Sequence, residues 1–379
     1  MNVRPFRFAP ERTRVGDFQE RLARARQLPA AADPEGRLGI PGTELARLAR
    51  QFAEFDWTAF AARVNEHPAF LVRRGDEEVH AVHVRSEAPE AQPLLLLHGW
   101  PGSFLEFRGL VSTLTRGAPA FHVVCPSLPG YGFSTRRLDG PCNVAAIAAA
   151  MVELMDALGY REFLVQGGDW GSAVGSELAR RYPERCLGLH LNMVAIPPPP
   201  EGDAARAAVS AEEAQWLKDT QRFLAEGMGY YKLQSTRPQT VAVALGDSPL
   251  GLLAWIAEKY LAWSDRGANG RSLVADAAIL DAVALYWMTD SIGSSMRLYY
   301  DEWHERAKPT RVEVPTGVAV FPREVARAPR AWVAHRFNLV HWSVQARGGH
   351  FAALEAPELL VADLRAFAAT LAGLRRDRA

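Results

Sequence analysis

Residues 163–171 read Phe-Leu-Val-Gln-Gly-Gly-Asp-Trp-Gly, and no other segment constrains the chain as tightly. An apolar run enters a Gly-x-nucleophile-x-Gly turn, and Ser172 to Arg181 has the composition of a helix leaving it. A strand-to-helix elbow of this kind lifts one side chain above the end of a parallel sheet, where it is exposed to substrate. Serine usually fills that position; here it is Asp169. Serine attacking an acyl carbon leaves an ester that water opens, but serine attacking a saturated carbon would leave an inert ether. A carboxylate attacking a saturated carbon leaves an ester, which is hydrolysable at its carbonyl. The aspartate elbow therefore predicts displacement at an sp³ carbon, either epoxide opening or carbon–halogen cleavage.

The rest of the chain reads as a scaffold for that elbow. Residues 1–68 are expected to be helical and solvent-facing, with amphipathic stretches at Val15–Leu28 and Gly42–Phe55 joined by a Pro/Gly/Asp-rich connector at Pro29–Gly39. From Phe70 the period changes, and Phe70–Arg74 with Val79–Arg85 around Gly75-Asp76 predicts a β-hairpin. Short apolar strands follow at Leu94–Leu97, Val123-Val124, Phe163–Val165 and Leu187–Val194, with helical segments between them, Val144–Leu158 the clearest. Such alternation implies a doubly wound, mostly parallel sheet. Pro197–Pro200 breaks it, and a helical, aromatic-rich region runs to about residue 310. Strands resume at Gly317–Phe321 and Val340–Gln345, and Pro357–Leu374 predicts a closing helix. A helical insert between two sheet-forming halves is the arrangement of the α/β-hydrolase fold with a cap. The expected division is an N-terminal extension at 1–68 packing on core and cap, core at 69–196, cap at 197–310, and core again at 311–379.

In this fold the triad runs nucleophile, acid, histidine. His350 stands in Arg347-Gly348-Gly349-His350-Phe351, after a strand and before the last helix, where glycines permit a sharp turn toward the elbow. Glu324 in Phe321-Pro322-Arg323-Glu324 follows the strand expected to carry the acid, where it would take the His350 Nδ1 proton as a hydrogen bond. From order alone Asp301 and Glu302 stay open, and Glu324 could instead be a loop carboxylate paired with Arg323 or Arg327. An oxyanion hole needs two backbone N–H donors. Trp170, after the nucleophile, would give one, and Trp100 in His98-Gly99-Trp100-Pro101-Gly102 the other. His98 itself is expected to pack and hydrogen-bond rather than to react.

These residues resemble the epoxide hydrolases of the α/β-hydrolase fold, in the microsomal-type branch with an N-terminal extension. Pro5-Phe6, Arg21-Leu22, Phe55-Asp56-Trp57, Leu71 and His80–Arg85 are similar to that branch's N-terminal region. His98–Ser103, Pro126–Ser134, Gly167–Ser172 and Arg347–Ala353 are similar to its core motifs, so the resemblance covers nearly the whole chain. It implies that Asp169 attacks an epoxide carbon, that two cap tyrosines hold the epoxide oxygen, and that His350 with its acid activates the hydrolytic water. Gly229-Tyr230-Tyr231 and Ser294–Tyr300 resemble the tyrosine-bearing segments, which assigns Tyr230 and Tyr299 by position and leaves their neighbours Tyr231 and Tyr300 open to a slip of one residue. A phenol with pKa near ~10 donates to a nascent alkoxide while staying protonated at neutral pH. Membrane-bound members carry an N-terminal anchor helix, but Met1–Arg14 is polar and Arg/Pro-rich, so no membrane association is expected.

Composition bounds the partners. Lys+Arg and Asp+Glu each number 43, giving a formal net charge of zero that points to neither nucleic acid nor an anionic membrane surface. Cys125, Cys142 and Cys186 are odd in number and widely spaced, with neither a disulfide framework nor a zinc pattern, so a reduced cytoplasmic protein is expected. No cofactor or metal is expected; the partner is a small-molecule epoxide, and a homo-oligomer stays open. Trp216, Met228, Trp255, Trp263, Trp287 and Met288 give the insert an apolar character that suits an apolar or aromatic epoxide, though most would serve equally as cap core. A haloalkane dehalogenase is the alternative, since it shares the aspartate and could recruit Trp100 and Trp170 as halide donors. The paired tyrosine segments and the extension argue against it. A non-catalytic binder on this fold would lack nucleophile, histidine or acid, and all three types are present.

Overall fold

The computed structural model describes residues 2–26, 33, 36–135, 140–305 and 310–376. Residues 27–28 of the first amphipathic stretch, 29–32 and 34–35 of the connector, and 306–309 beside the expected boundary at 310 lie outside them.

Nine strands form one sheet: β1 (Asn2–Phe6), β2 (Ala69–Arg74), β3 (Glu77–Val84), β4 (Gln92–Leu97), β5 (Phe121–Pro126), β6 (Phe163–Gly167), β7 (Cys186–Leu191), β8 (Val312–Val320) and β9 (Phe337–Val344). Their order is β1-β2-β3-β5-β4-β6-β7-β8-β9. From β5 to β9 every neighbouring pair is parallel, while β1, β2 and β3 add antiparallel strands at one edge. Leu94–Leu97, Val123–Val124 and Phe163–Val165 are all buried. Continuous apolar runs belong to parallel strands covered on both faces, so these three form the centre of the sheet.

The helices are α1 (Arg12–Ala23), α2 (Gly42–Ala53), α3 (Trp57–Val64), α4 (Arg108–Leu114), α5 (Val144–Ala157), α6 (Asp169–Arg181), α7 (Ala204–Ala207), α8 (Ala211–Arg222), α9 (Gly229–Thr236), α10 (Pro238–Asp247), α11 (Pro249–Trp263), α12 (Asp276–Thr289), α13 (Ser291–Glu305), α14 (Arg330–Arg336), α15 (Ala352–Glu355) and α16 (Pro357–Arg376). Capping sets several starts. Asn143 accepts the Ala146 N–H to open α5, and Asp56 accepts from Thr58 and Ala59 to open α3. Between β7 and β8 the chain is helical from α7 to α13. Among the described residues no single helix is long and apolar enough to cross a membrane; α10 and α11 pass such a test only as a pair bent by 117°.

The expected hairpin, central strands and closing helix fall where the sequence places them. The first 68 residues differ from expectation in two ways. Asn2–Phe6 is a strand, paired antiparallel with β2 at the sheet edge. Its Pro5 lacks an N–H, which an edge strand tolerates. Tertiary contacts hold it there: Arg4 bonds Glu78 at 2.8 Å, and the Phe6 ring packs 4.9 Å from His80 and 4.8 Å from Phe133. Nor is the segment simply solvent-facing. Phe18, Phe52 and Phe60 are fully buried, and Phe18 meets Phe52, Trp57 and, across the interface, Trp287 of α12. Arg63–Asp281 at 2.6 Å and Arg47–Asp276 add charged contacts to the same helix. Trp287 and Met288 thus serve as packing.

Candidate active site

The sheet order brings the site together before any side chain is considered. β4 and β6 are neighbours with Leu97 opposite Gly167, so the loop leaving β4 at His98 runs beside the elbow leaving β6. Asp169 sits at φ +50°, a left-handed conformation costly for a residue with a Cβ and concentrated at functional turns. Small neighbours make the turn feasible. A Cβ on Gly171 would lie 2.1 Å from the Leu97 carbonyl oxygen, and one on Gly99 would lie 2.2 Å from Asp169 Oδ1.

The loop meets the carboxylate through its backbone. Trp100 N–H donates to Asp169 Oδ1 at 2.8 Å. His98 braces the loop, its Nε2 accepting the Leu128 N–H at 3.1 Å while Nδ1 faces the Gly99 carbonyl at 3.0 Å. Burial lowers its pKa to about 4, so it is neutral and structural. Burial raises Asp169 above the usual carboxylate range, opposed by the charge of His350 and by the Trp100 and Trp170 N–H groups.

His350 and Glu324 converge on Asp169 from the far half of the chain. His350 Nε2 lies 3.6 Å from Asp169 Oδ2, and Nδ1 donates to Glu324 Oε1 at 2.8 Å. Burial alone would lower the histidine. The charge and hydrogen bond of Glu324, then the charge of Asp169, outweigh it and raise His350 to about 9. Glu324 is buried, with the Val325 N–H on the same Oε1 at 2.7 Å, and it bonds neither Arg323 nor Arg327. Asp301 instead binds Arg297 at 2.6 Å and the Cys142 N–H at 2.8 Å, and Glu302 accepts the Val144 N–H at 3.2 Å, both away from the histidine.

The histidine turn is anchored by residues that sequence reasoning missed. His350 N–H donates to the Trp263 carbonyl at 3.1 Å and Gly348 N–H to Asp265 at 2.9 Å, both just past or at the end of α11. Glu355 accepts the Phe351 N–H at 2.8 Å and the Asp265 N–H at 2.5 Å; its burial raises it to about 7. Trp263 also lays its ring 5.1 Å from both His350 and Tyr230.

Tyr230 on α9 and Tyr299 on α13 are buried with ring centroids 6.0 Å apart, roofing the elbow. Trp100 stacks on Tyr230 at 5.3 Å and Trp170 meets Tyr299 edge-on at 4.8 Å. Burial pushes both phenols well above 10, and the Asp169 charge adds to it, so both are protonated at neutral pH. Tyr299 Oη is buried without a well-formed hydrogen bond among the described residues, lying only loosely beside the Tyr230 hydroxyl. Of the neighbours, Tyr300 is 36% exposed and stacks on His304, while Tyr231 packs edge-on against Tyr299 at 5.3 Å. Among the described residues no three His, Cys, Asp or Glu side chains gather as metal ligands.

Two spaces touch Asp169. A cleft of about 250 Å³ runs along α6 past Ala173, Met193, Val194 and Ile196. On the other side a pocket of about 20 Å³ is walled by Asp169, His350 and Glu106. Glu106 was also missed, although Ser103-x-x-Glu106 is a capping-box pattern that marks a helical start right after the Trp100 loop.

Comparison with known proteins agrees with this geometry. Residues 3–107 match the family described as epoxide hydrolase N terminus, and residues 92–227 match the alpha/beta hydrolase fold. Epoxide hydrolase 1 of Sus scrofa is 34% identical over 402 residues, covering 97% of this chain and 88% of its own. The epoxide hydrolase structure from Aspergillus niger superimposes with a TM-score of 0.90 at 35% identity, over 98% of this chain and 97% of that one. The juvenile hormone epoxide hydrolase structure from the silkworm Bombyx mori gives 0.89 at 31%, over 99% and 96%. Similarity at this level runs through the extension, elbow, histidine turn and tyrosine helices alike: the chain belongs to the epoxide hydrolases, enzymes built on the α/β-hydrolase fold.

Proposed function

We propose that this epoxide hydrolase works through a covalent ester on Asp169 and turns an apolar or aromatic epoxide into a vicinal diol. The observation that carries the reading is the chain Asp169–His350–Glu324, 3.6 Å and 2.8 Å long, beneath two phenols that stay protonated. Asp169 attacks one epoxide carbon, and the C–O bond of the ring breaks. Tyr230 and Tyr299 donate to the departing oxygen, which leaves as a hydroxyl. In the resting enzyme His350 holds a proton against Asp169 and Glu324. Esterification neutralises Asp169 and so removes one of the charges retaining that proton. Releasing it balances the proton given by the phenols and leaves a neutral imidazole.

That imidazole is the base for the second step. Water loses one proton to His350 Nε2, and its oxygen bonds to Cγ of the ester. The Trp100 and Trp170 N–H groups hold the oxyanion, as they hold the free carboxylate. Collapse breaks the Cγ–O bond to the substrate, whose oxygen takes the proton back from His350. The diol leaves, Asp169 keeps one oxygen from water, and the second proton of that water passes from the new carboxyl to His350, which restores the resting pair. Trp100, Trp170 and Trp263 give the site apolar walls, which supports the substrate class.

The same reading treats 1–68 as an extension, 69–196 with 311–379 as the core, and 197–310 as a helical cap supplying the tyrosines. It sets the enzyme in the cytoplasm, where the three buried cysteines would stay reduced. The deciding experiment is a single turnover in ¹⁸O-water with enzyme in excess over styrene oxide. The first diol should lack the label, which should appear in Asp169. His350→Gln should accumulate an adduct of enzyme plus epoxide by intact mass. Label entering the first diol directly would mean water attacks the epoxide itself and would refute the ester.

A further inference from the structure

Glu106 belongs to no step above, yet its carboxyl shares the about 20 Å³ pocket with Asp169 and His350. One water needs about 10–15 Å³ and two or more polar partners, so the pocket fits a single water between three polar side chains. The placement is a built one. Glu106 lies in the turn Phe104–Phe107 and folds back so that Oε1 accepts the Ser103 N–H at 3.2 Å. A Cβ on Gly102 would lie 1.4 Å from that same oxygen, so the carboxyl occupies space that only glycine leaves free. Among the described residues no arginine or lysine pairs with it. Burial raises its pKa to about 8, with the charge of His350 opposing and that of Asp169 adding, which leaves it neutral at pH 7. A helix cap alone does not call for a carboxyl set against the elbow and the histidine, since the other capping-box acid, Glu213, performs that task at α8 away from this pocket.

We propose that Glu106 positions the hydrolytic water in this pocket, accepting one of its O–H bonds while His350 Nε2 takes the other. The oxygen lone pair is thereby aimed at Cγ of the Asp169 ester. The neutral acid leaves proton abstraction to His350 and adds no charge against the oxyanion; Glu106 itself gains and loses nothing over the cycle. The proposal rests on the covalent-ester reading.

The test separates the two half-reactions by quenching single turnovers of styrene oxide and following the adduct by intact mass. Glu106→Met keeps the length but removes the acceptor, and Glu106→Gln keeps a carbonyl oxygen. Expected is ester formation near the wild-type rate in both variants. Ester decay should slow by about 10-fold to 100-fold in Glu106→Met, the rate equivalent of one hydrogen bond to a reacting group, and stay near wild type in Glu106→Gln. Unchanged decay in Glu106→Met overturns the proposal. Equal slowing of both half-reactions also does, because it would mean the Trp100 loop has moved. Should Glu106→Met not fold, Glu106→Gln decides alone, since a stalled ester there overturns the neutral-acceptor role. Absence of any adduct in wild type and His350→Gln would instead overturn the ester reading.

Discussion

Replacing Glu324 by Gln tests the link between charge, stability and the second half-reaction. Glu324 is the largest of the influences raising His350 against the opposing effect of burial, and Gln at the same 2.8 Å keeps a hydrogen-bond acceptor without the charge. A histidine raised from 6.5 to about 9 stabilises the folded state by about 3 kcal/mol while it is protonated. The folded pKa lies above the unfolded one. The contribution is therefore complete below 6.5 and disappears as pH rises through about 9. Most of that about 3 kcal/mol should be missing from the variant in urea unfolding at about pH 6, with the two proteins converging toward about pH 10.

The same substitution lowers the basicity of His350 and relaxes its tautomer. Ester decay should slow by about 10²–10⁴-fold, the usual worth of a general base, and the adduct should build up. Ester formation should suffer far less, because Asp169 keeps both backbone donors. Two results would refute the reasoning: a stability loss independent of pH, or an ester that decays at the wild-type rate.

Tyr230→Phe and Tyr299→Phe should each slow ring opening by about 10²–10³-fold without abolishing it, as loss of one of two donors does; rapid-quench rates that match wild type in both would remove the phenols from the reaction. Phe18→Ala should cost about 3–5 kcal/mol in urea unfolding, because the ring is fully buried against Phe52, Trp57 and Trp287. None of those rings belongs to the site, so kcat of the folded enzyme should hold.

The parts of this enzyme legible in sequence are those governed by local rules. The elbow shows because only small residues fit where Gly171 approaches Leu97, and the central strands show because burial on both faces leaves unbroken apolar runs at Leu94–Leu97 and Phe163–Val165. His350 shows through the glycines before it. What stayed hidden depends on long-range pairing. The strand Asn2–Phe6 carries no alternation of its own and exists through β2, Glu78 and Phe133. The Trp263 carbonyl and Asp265, which fix the histidine turn, lie more than 80 positions away from it in the chain. Glu106 was readable as a cap, but its proposed second role depends on the fold setting it in one pocket with Asp169 and His350.

Burial acts on every ionisable group at this site, and the neighbours decide what each group does with it. Glu106 has the charge of His350 against its burial and that of Asp169 with it, and burial, the largest influence, leaves the acid neutral at pH 7. Asp169 is raised by the same burial, but the charge of His350 and two N–H donors oppose the rise, as the proposed nucleophile requires. His350 should be lowered, yet the charges of Glu324 and Asp169 beside it outweigh burial and it is protonated. The phenols, with Asp169 below them, are held as donors. Forming the proposed ester would change the surroundings of all these groups at once, because the Asp169 charge would disappear. His350 then loses a reason to keep its proton, and the phenols lose a reason to keep theirs. In the proposed cycle the first half-reaction thereby creates the base needed for the second. A serine at the elbow, neutral both before and after attack, would give no such change, which is a second reason, beyond the stability of an ether, for the carboxylate at position 169.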